Sequence, residues 1–343
     1  MYSKASPNVN ILPALRQVPN FELRPNAHVL RVNLDDRKRK ATGVTYIDAQ
    51  GREVEQPAEL VILAAFQFNN VRLMLLSGIG KPYDPVKNEG VVGRNFAYQN
   101  MGTVKAFFDK DTYTNNFIGA GGNGIAIDDF NADNFDHGPH GFVGGSPMWV
   151  NQAGSRPIAG TSNPPGTPAW GSAWKKSHGR LLHPPGVNGR PRRPSVLPWQ
   201  LPGPGPHLPR CLRSAAAAHD VRLAGKRHQD EPVHGRQAEQ DRPSDEPKAI
   251  AVLGKQVKDH FNTASYQTTH LNGGAIMGTD PKTSALNRYL QSWDVHNVFV
   301  PGASAFPQGL GYNPTGLVAA LTYWSARAIR EQYLKNPGPL VQA

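Results

Sequence analysis

Hydrophobic and polar positions alternate along His28-Val29-Leu30-Arg31-Val32-Asn33-Leu34, the period of a strand with one face buried. Ala41 to Asp48 reads as a second strand, and Gln50-Gly51 supplies the turn of a hairpin or meander. Leu60-Val61-Ile62-Leu63-Ala64-Ala65 is instead a continuous apolar run, the pattern of a strand covered on both faces of a parallel sheet. Val71, Leu75 and Leu76 then fall at helical spacing, and Ser77-Gly78-Ile79-Gly80 stops that helix with Gly78 as its C-terminal cap. Thr103 to Phe108 is a further strand, and Asn297 to Val300 a short one near the C-terminus. Residues 315–335 form the longest helix, with Leu317, Leu321, Trp324 and Ala328 along one face. Asn313 suits its N-cap, Pro314 its first position, and Pro337 lies beyond its end. The pattern gives an α/β chain of mixed α+β character.

Two stretches break this pattern. Residues 111–170 are rich in Gly, Asn, Asp and Pro and read as the loop-rich start of a second domain that shapes a pocket. Residues 178–247 hold 12 of the 31 prolines and six of the 12 histidines, with no persistent amphipathic period. That stretch reads either as a disordered basic linker or, the preferred hypothesis, as a shifted reading frame of a GC-rich gene, because ordered patterning resumes abruptly at Lys248-Ala249-Ile250. Sequencing the coding DNA tests the second reading. A compensating pair of insertions or deletions near codons 177 and 247 is expected, and their absence ends it.

Composition narrows the function classes. The chain has 343 residues, enough for about two domains, and a formal net charge of +11. The excess is local: residues 175–245 carry 13 Lys and Arg against 6 Asp and Glu, so +7 lies there and +4 elsewhere. A nucleic-acid role for that stretch has little support, because Trp199 alone offers base stacking. Cys211 is the single cysteine, which excludes an intrachain disulfide and leaves no thiolate cluster. The first residues lack the apolar core of a signal peptide, and no apolar run approaches a membrane span.

Gly119-Ala120-Gly121-Gly122-Asn123-Gly124 fits GxGxxG, but no amphipathic helix follows, so a loop is the better reading. Asp129 to Asp133 resembles a calcium loop, yet Asn134 and His140 stand where glycine and glutamate are needed. His137 and His140 lack a third ligand, and no metal site is expected. His270 precedes Leu271-Asn272-Gly273-Gly274. It could act as a general base near neutral pH. It would serve equally as a structural histidine bonded to a turn carbonyl. Asn313 opens a helix whose positive end suits a group that becomes anionic.

Taken together these residues resemble the glucose–methanol–choline (GMC) oxidoreductases, in particular the branch that oxidises sugars and sugar acids such as gluconate. The resemblance covers residues 1–177 and 248–335. It rests on Val61 to Gly80, on Val92-Gly93-Arg94-Asn95, on His270 to Gly278, on Val300-Pro301-Gly302-Ala303-Ser304 and on Asn313-Pro314-Thr315. Asn70-Val71 replaces a common Ser/Thr-Pro pair, and Leu271 replaces a common proline. The resemblance implies an FAD cofactor, with His270 as base and Asn313 hydrogen-bonding the same substrate oxygen. Gly302, Ala303, Asn313, Pro314 and Thr315 would line the flavin. It also implies a cytochrome c subunit and a small subunit as partners, at the periplasmic face of the inner membrane; the chain expressed alone would stay in the cytoplasm.

The expected organisation is a partial FAD-binding, Rossmann-like domain over 1–100 that lacks the family's first βαβ unit. A partial antiparallel-sheet substrate domain starts at 101–177 and returns at 248–280 with the histidine turn. The unpatterned stretch fills 178–247, and a flavin-facing strand and helix occupy 281–343. An N-terminally incomplete, inactive chain is therefore expected. The rival readings are a non-enzymatic basic binding protein using 178–247 and a degenerate product without a stable fold.

Overall fold

The computed structural model describes residues 6–98, 100–107, 125–136, 139, 147–152, 164–182, 195–201, 220–222, 249–253, 260–262, 270–309 and 312–342. Two four-residue helices, α1 (Pro7–Asn10) and α2 (Leu12–Leu15), precede the first strands. These are β1 (His28–Leu34), β2 (Ala41–Ile47) and β3 (Glu53–Pro57), an antiparallel sheet in that order. β4 (Val61–Ile62) leads into α3 (Gln67–Leu76). Then come β5 (Arg94–Tyr98), β6 (Asn100–Phe107), β7 (Ile125–Ile127), β8 (Met148–Gln152) and helix α4 (Gly171–Leu182). β9 (Ser195–Leu201), β10 (Asp220–Arg222), β11 (Ala249–Leu253) and β12 (His260–Asn262) follow. The C-terminal part holds β13 (Leu271–Gly274), β14 (Val298–Phe299) and helix α5 (Thr315–Ala328).

Two layers of different type result. β11, β6, β9, β8 and β7 form a five-stranded sheet in that order, antiparallel throughout. The other unit joins the two ends of the sequence: β4 pairs in parallel with β14, and β13 pairs antiparallel with β5. Its core takes Val32, Val61, Leu63, Val71 and Met74 from the N-terminal segment, with Leu286, Leu290, Val298 and Val300 from the C-terminal one.

The strand alternation of β1 and the turn after β2 match the sequence pattern. The end of α3 does so in atomic detail. Gly78 has φ 67°, and its N–H donates to the Leu75 carbonyl. The Ile79 N–H donates to the Met74 carbonyl, and both side chains are fully buried. This paired arrangement satisfies the helix's last carbonyls and packs the exit residue on the helix.

Three expectations need correction. The run Leu60 to Ala65 is not covered on both faces: Val61 and Leu63 are buried, but Ile62 is 50% exposed, because the parallel sheet has two strands among the described residues. The predicted face of the last helix is only partly its packed face: Ala328 is buried and Leu321 packs on the core. Leu317 and Trp324 are 42% and 49% exposed, whereas Ser325 and Ala328 are buried. Small residues let this helix approach the chain closely: the Ser325 hydroxyl donates to the Tyr289 carbonyl at 2.8 Å, and Trp324 stacks on Tyr289 at the rim. Within 178–247, β9 lies between β6 and β8. Ser195-Val196-Leu197-Pro198-Trp199-Gln200-Leu201 is an apolar, β-prone run that the composition of its surroundings hides. Most of that stretch lies outside the described residues.

Asn297 ties the two ends together. It is fully buried, its Oδ1 accepts from the Ala41 N–H at 2.6 Å, and its Nδ2 donates to the carbonyls of Ala41 and Glu59 at 2.7 and 2.9 Å. Replacing it by alanine strands three backbone groups of β2 and the approach to β4, at about 1–3 kcal/mol for each group left buried without a partner. Asn297→Ala is therefore expected to lower the unfolding free energy by at least about 3 kcal/mol in urea titrations. A loss below about 1 kcal/mol would show that the staple is not needed.

Candidate active site

The turn from β4 into α3 builds the first wall of a cavity. Phe66 sits there with φ 75° and ψ 156°, a backbone region that a side chain makes costly, at about 1–3 kcal/mol. The fully buried Asn70 holds the turn from both sides. Its Oδ1 accepts from the Ala65 N–H at 2.8 Å, and its own N–H donates to the Phe66 carbonyl at 2.9 Å. The same side chain reaches across the fold, where Nδ2 donates to the Ser304 hydroxyl at 3.1 Å and to the Pro301 carbonyl at 3.4 Å.

That link fixes the second wall, Pro301-Gly302-Ala303. Gly302 has φ 121°, and a Cβ built on it would meet only the Asn70 amide at 3.8 Å. The missing side chain leaves bare backbone facing open space. A short 3-10 turn, Ala303–Ala305, follows, and the Ala275 and Met277 N–H groups donate to the Ser304 and Ala305 carbonyls.

The first turn of α5 forms the third wall through Pro314, Thr315 and Val318. It carries no acidic residue and no side-chain cap, so its N–H groups and the positive end of its dipole are left for whatever lies before them. Asn313 is not the cap expected from the sequence. Pro314 already has helical dihedrals, φ −78° and ψ −11°, and occupies the cap position, while Asn313 is exposed one residue further out.

His270 completes the ring of walls. It stands at the start of β13, whose pairing with β5 depends on Gly273 and Gly274. Gly273 has φ 75°, and a Cβ on it would overlap the Asn95 carbonyl oxygen, so only glycine lets these strands approach. Asn272 is fully buried and donates to the His270 carbonyl at 3.3 Å, fixing the main chain beneath the imidazole.

The resulting cavity measures about 470 Å³, the size of a small-molecule site, and brings together His270, Gly302, Ala303, Pro314 and Thr315. Of the expected residues, Asn313 is not in its lining. Phe66, Gln67 and Asn70 are in it and were not anticipated. Their signal was legible: Gln67 and Asn70 are polar residues on the same side of α3 as Val71 and Met74, and a polar side chain inside an apolar stripe needs a partner. The glycine-rich segment 119–124, His137 and His140 lie outside the described residues. Among the described residues no group of three or more potential metal ligands occurs, and no helix is long and apolar enough to cross a membrane.

Comparison with known proteins places this geometry. Two family models, the N-terminal and C-terminal parts of GMC oxidoreductase, match residues 2–101 and 209–322. The chain belongs to the GMC oxidoreductase family. The family that these models describe is one of oxidoreductases. A gluconate 2-dehydrogenase flavoprotein of Pantoea cypripedii is 61% identical over 371 residues, covering 100% of this chain and 56% of that protein. A 2-methyl-1,2-propanediol dehydrogenase of Mycolicibacterium austroafricanum is 25% identical, covering 88% of this chain and 52% of that protein. The chain thus spans about half the length of these relatives, 56% and 52%. An Aspergillus oryzae formate oxidase has the same fold, with a TM-score of 0.58 at 16% identity over 94% of this chain and 63% of that one. The walls of the cavity come from both matched parts of the GMC family: Phe66 and Asn70 from the first, and His270, Gly302 and Thr315 from the second.

Burial lowers the pKa of His270 from its usual 6.5. The neutral imidazole is thus the favoured form of the folded protein at pH 7, as a proton acceptor requires. The sign for stability follows. The unfolded chain takes up this proton at higher pH than the folded one, so the contribution of His270 is complete above pH 6.5 and is lost as pH falls through the lower folded value. His296 is shifted the same way, by burial and then by Lys40 and Arg39, so a melt alone does not isolate His270. A residue-resolved NMR titration is expected to place the His270 midpoint below 6.5. A midpoint above that value contradicts the burial argument.

Proposed function

We propose that this chain carries the flavin-ring wall and the proton acceptor of an FAD-dependent dehydrogenase that oxidises the CH–OH group of a sugar or sugar acid of the gluconate type. The observation that carries the reading is the meeting of three things on one cavity of about 470 Å³: a half-buried histidine, the bare backbone of Gly302-Ala303, and the open N-terminus of α5. The substrate class follows the Pantoea relative, which is named a gluconate 2-dehydrogenase flavoprotein.

The residues present fit the ring half of FAD. A planar ring needs a wall without side chains, and Gly302 provides one. A flavin ring also bears an N–H. Gln67, in the lining, donates to the Gly273 carbonyl at 2.7 Å and leaves its buried Oε1 without a partner among the described residues, an acceptor suited to such a donor. Gly302, Ala303, Pro314 and Thr315 would hold the ring.

FAD, when bound, supplies the acceptor for the hydride leaving the substrate carbon. His270 takes the proton of the substrate hydroxyl, so that loss of one proton and one hydride leaves a carbonyl group. The first turn of α5 places its N–H groups and dipole where negative charge gathers on the reduced cofactor. Ala64, Pro301 and Val318 add apolar surface to the lining, against which an organic ring can pack. The exposed Asn313 is not assigned a step by this geometry. A cytochrome c subunit and a small subunit as electron-transfer and assembly partners belong to the same proposal.

The test is to load the chain with FAD, remove the excess, and record the flavin absorption band before and after anaerobic addition of gluconate. Against the inactive chain expected from the sequence, this reading requires retained flavin that bleaches on gluconate, with His270→Ala slowing the bleaching by about 100-fold or more while keeping the flavin. A chain that retains no flavin, or a His270→Ala variant that bleaches as fast as the original, overturns the proposal.

A further inference from the structure

Among the described residues two large apolar ones, Phe66 and Leu290, hold a positive φ, and they differ in what the fold does for them. Leu290 has φ 63° and is fully buried, so core packing offsets its backbone cost. Phe66 has φ 75° and ψ 156°, yet its side chain is 55% exposed. Its ring meets Phe68 edge-on at 6.2 Å. Its backbone conformation suits glycine alone, and the packing of an exposed ring repays little of that cost.

The strain is nonetheless imposed from both sides. The Ala65 N–H and the Phe66 carbonyl are both bonded to Asn70, which is itself anchored to Pro301 and Ser304 across the cavity. The same clamp that positions Gly302 therefore holds Phe66 in the lining of the cavity that Gly302 and Ala303 also line. Strain that persists because its surroundings enforce it is found where a site is preorganised for a ligand.

We infer that Phe66 is a cofactor-contacting residue: its ring forms the aromatic wall against which a planar heteroaromatic ligand packs. The inference rests on the flavin reading above and adds the residue that grips the ring. Edge-on or offset contact with a planar ring recovers part of the exposed apolar surface of Phe66. The backbone cost, paid by the ligand-free chain, then falls on a side chain already in its binding position, so that binding orders nothing further. Glycine at this position would give a more relaxed chain with a weaker site.

The experiment uses the full chain and its Phe66→Tyr, Phe66→Ala and Phe66→Gly variants. Riboflavin, which has the ring without the adenosine half, is titrated into each and its fluorescence quenching recorded. Thermal melts are run without flavin. Phe66→Tyr is expected to bind riboflavin within about twofold of the original, and Phe66→Ala and Phe66→Gly to bind about fivefold more weakly or worse, the scale of one aromatic contact. In the melts, Phe66→Gly is expected above Phe66→Ala, since both lack the ring and only glycine accepts the backbone conformation without cost. Binding by Phe66→Ala equal to that of the original overturns the contact, and a Phe66→Gly melt at or below that of Phe66→Ala overturns the strain. Failure of the original chain to quench riboflavin at all overturns the flavin reading and the contact with it, while the melts still report on the strain separately.

Discussion

Asn297 has no solvent exposure and bonds to Ala41 and Glu59, which lie 256 and 238 residues before it in the sequence. Its amide occupies three backbone groups that would otherwise be buried without partners, two on Ala41 and one on Glu59. The parallel pair of β4 and β14 depends on that staple, because two strands of two residues each make too few bonds to hold a sheet alone. Around the pair gather Val61, Leu63, Val298 and Val300, and with them the core that joins the beginning of the chain to its end.

The cavity inherits its geometry from this junction. Once β4 and β14 are in register, Leu63 donates to the Phe299 carbonyl, and the two chains leave the sheet side by side. One leaves through Ala64 and Phe66 into α3, and the other through Pro301 and Gly302 into the 3-10 turn. Asn70 then fastens these exits to each other. Two buried amides, one behind the sheet and one in front of it, thus determine where the cavity opens. His270 arrives separately, on the β13–β5 pair, through glycines that admit the close approach of β5. The open first turn of α5 is the remaining side.

Much of this was legible in the sequence, for identifiable reasons. Alternation in β1 and the glycine at the end of α3 are local signals with one structural solution, and the fold has it. His270, Gly302, Ala303, Pro314 and Thr315 were expected at one site from the resemblance to the GMC family, and they share one cavity. Asn313 was expected in the same way and lies outside it, because a proline with helical dihedrals starts the helix one residue later. Periodicity could not show that Ile62 faces outward, since an apolar run looks the same whether one face or two are covered. Nor could it show that, of the face expected for α5, Leu321 and Ala328 pack while Leu317 and Trp324 stay exposed, with Ser325 buried beside them. The polar position of Asn70 in the apolar stripe of α3 was legible, but its bonds across the fold and the dihedrals of Phe66 are not encoded in spacing.

The most direct measurement is an experimental structure of the chain with FAD. The flavin ring is expected between Phe66 and the backbone of Gly302-Ala303, with the first turn of α5 at its edge and His270 facing the open side. A ring bound elsewhere, or one that touches none of these residues, would contradict the assignment of this cavity.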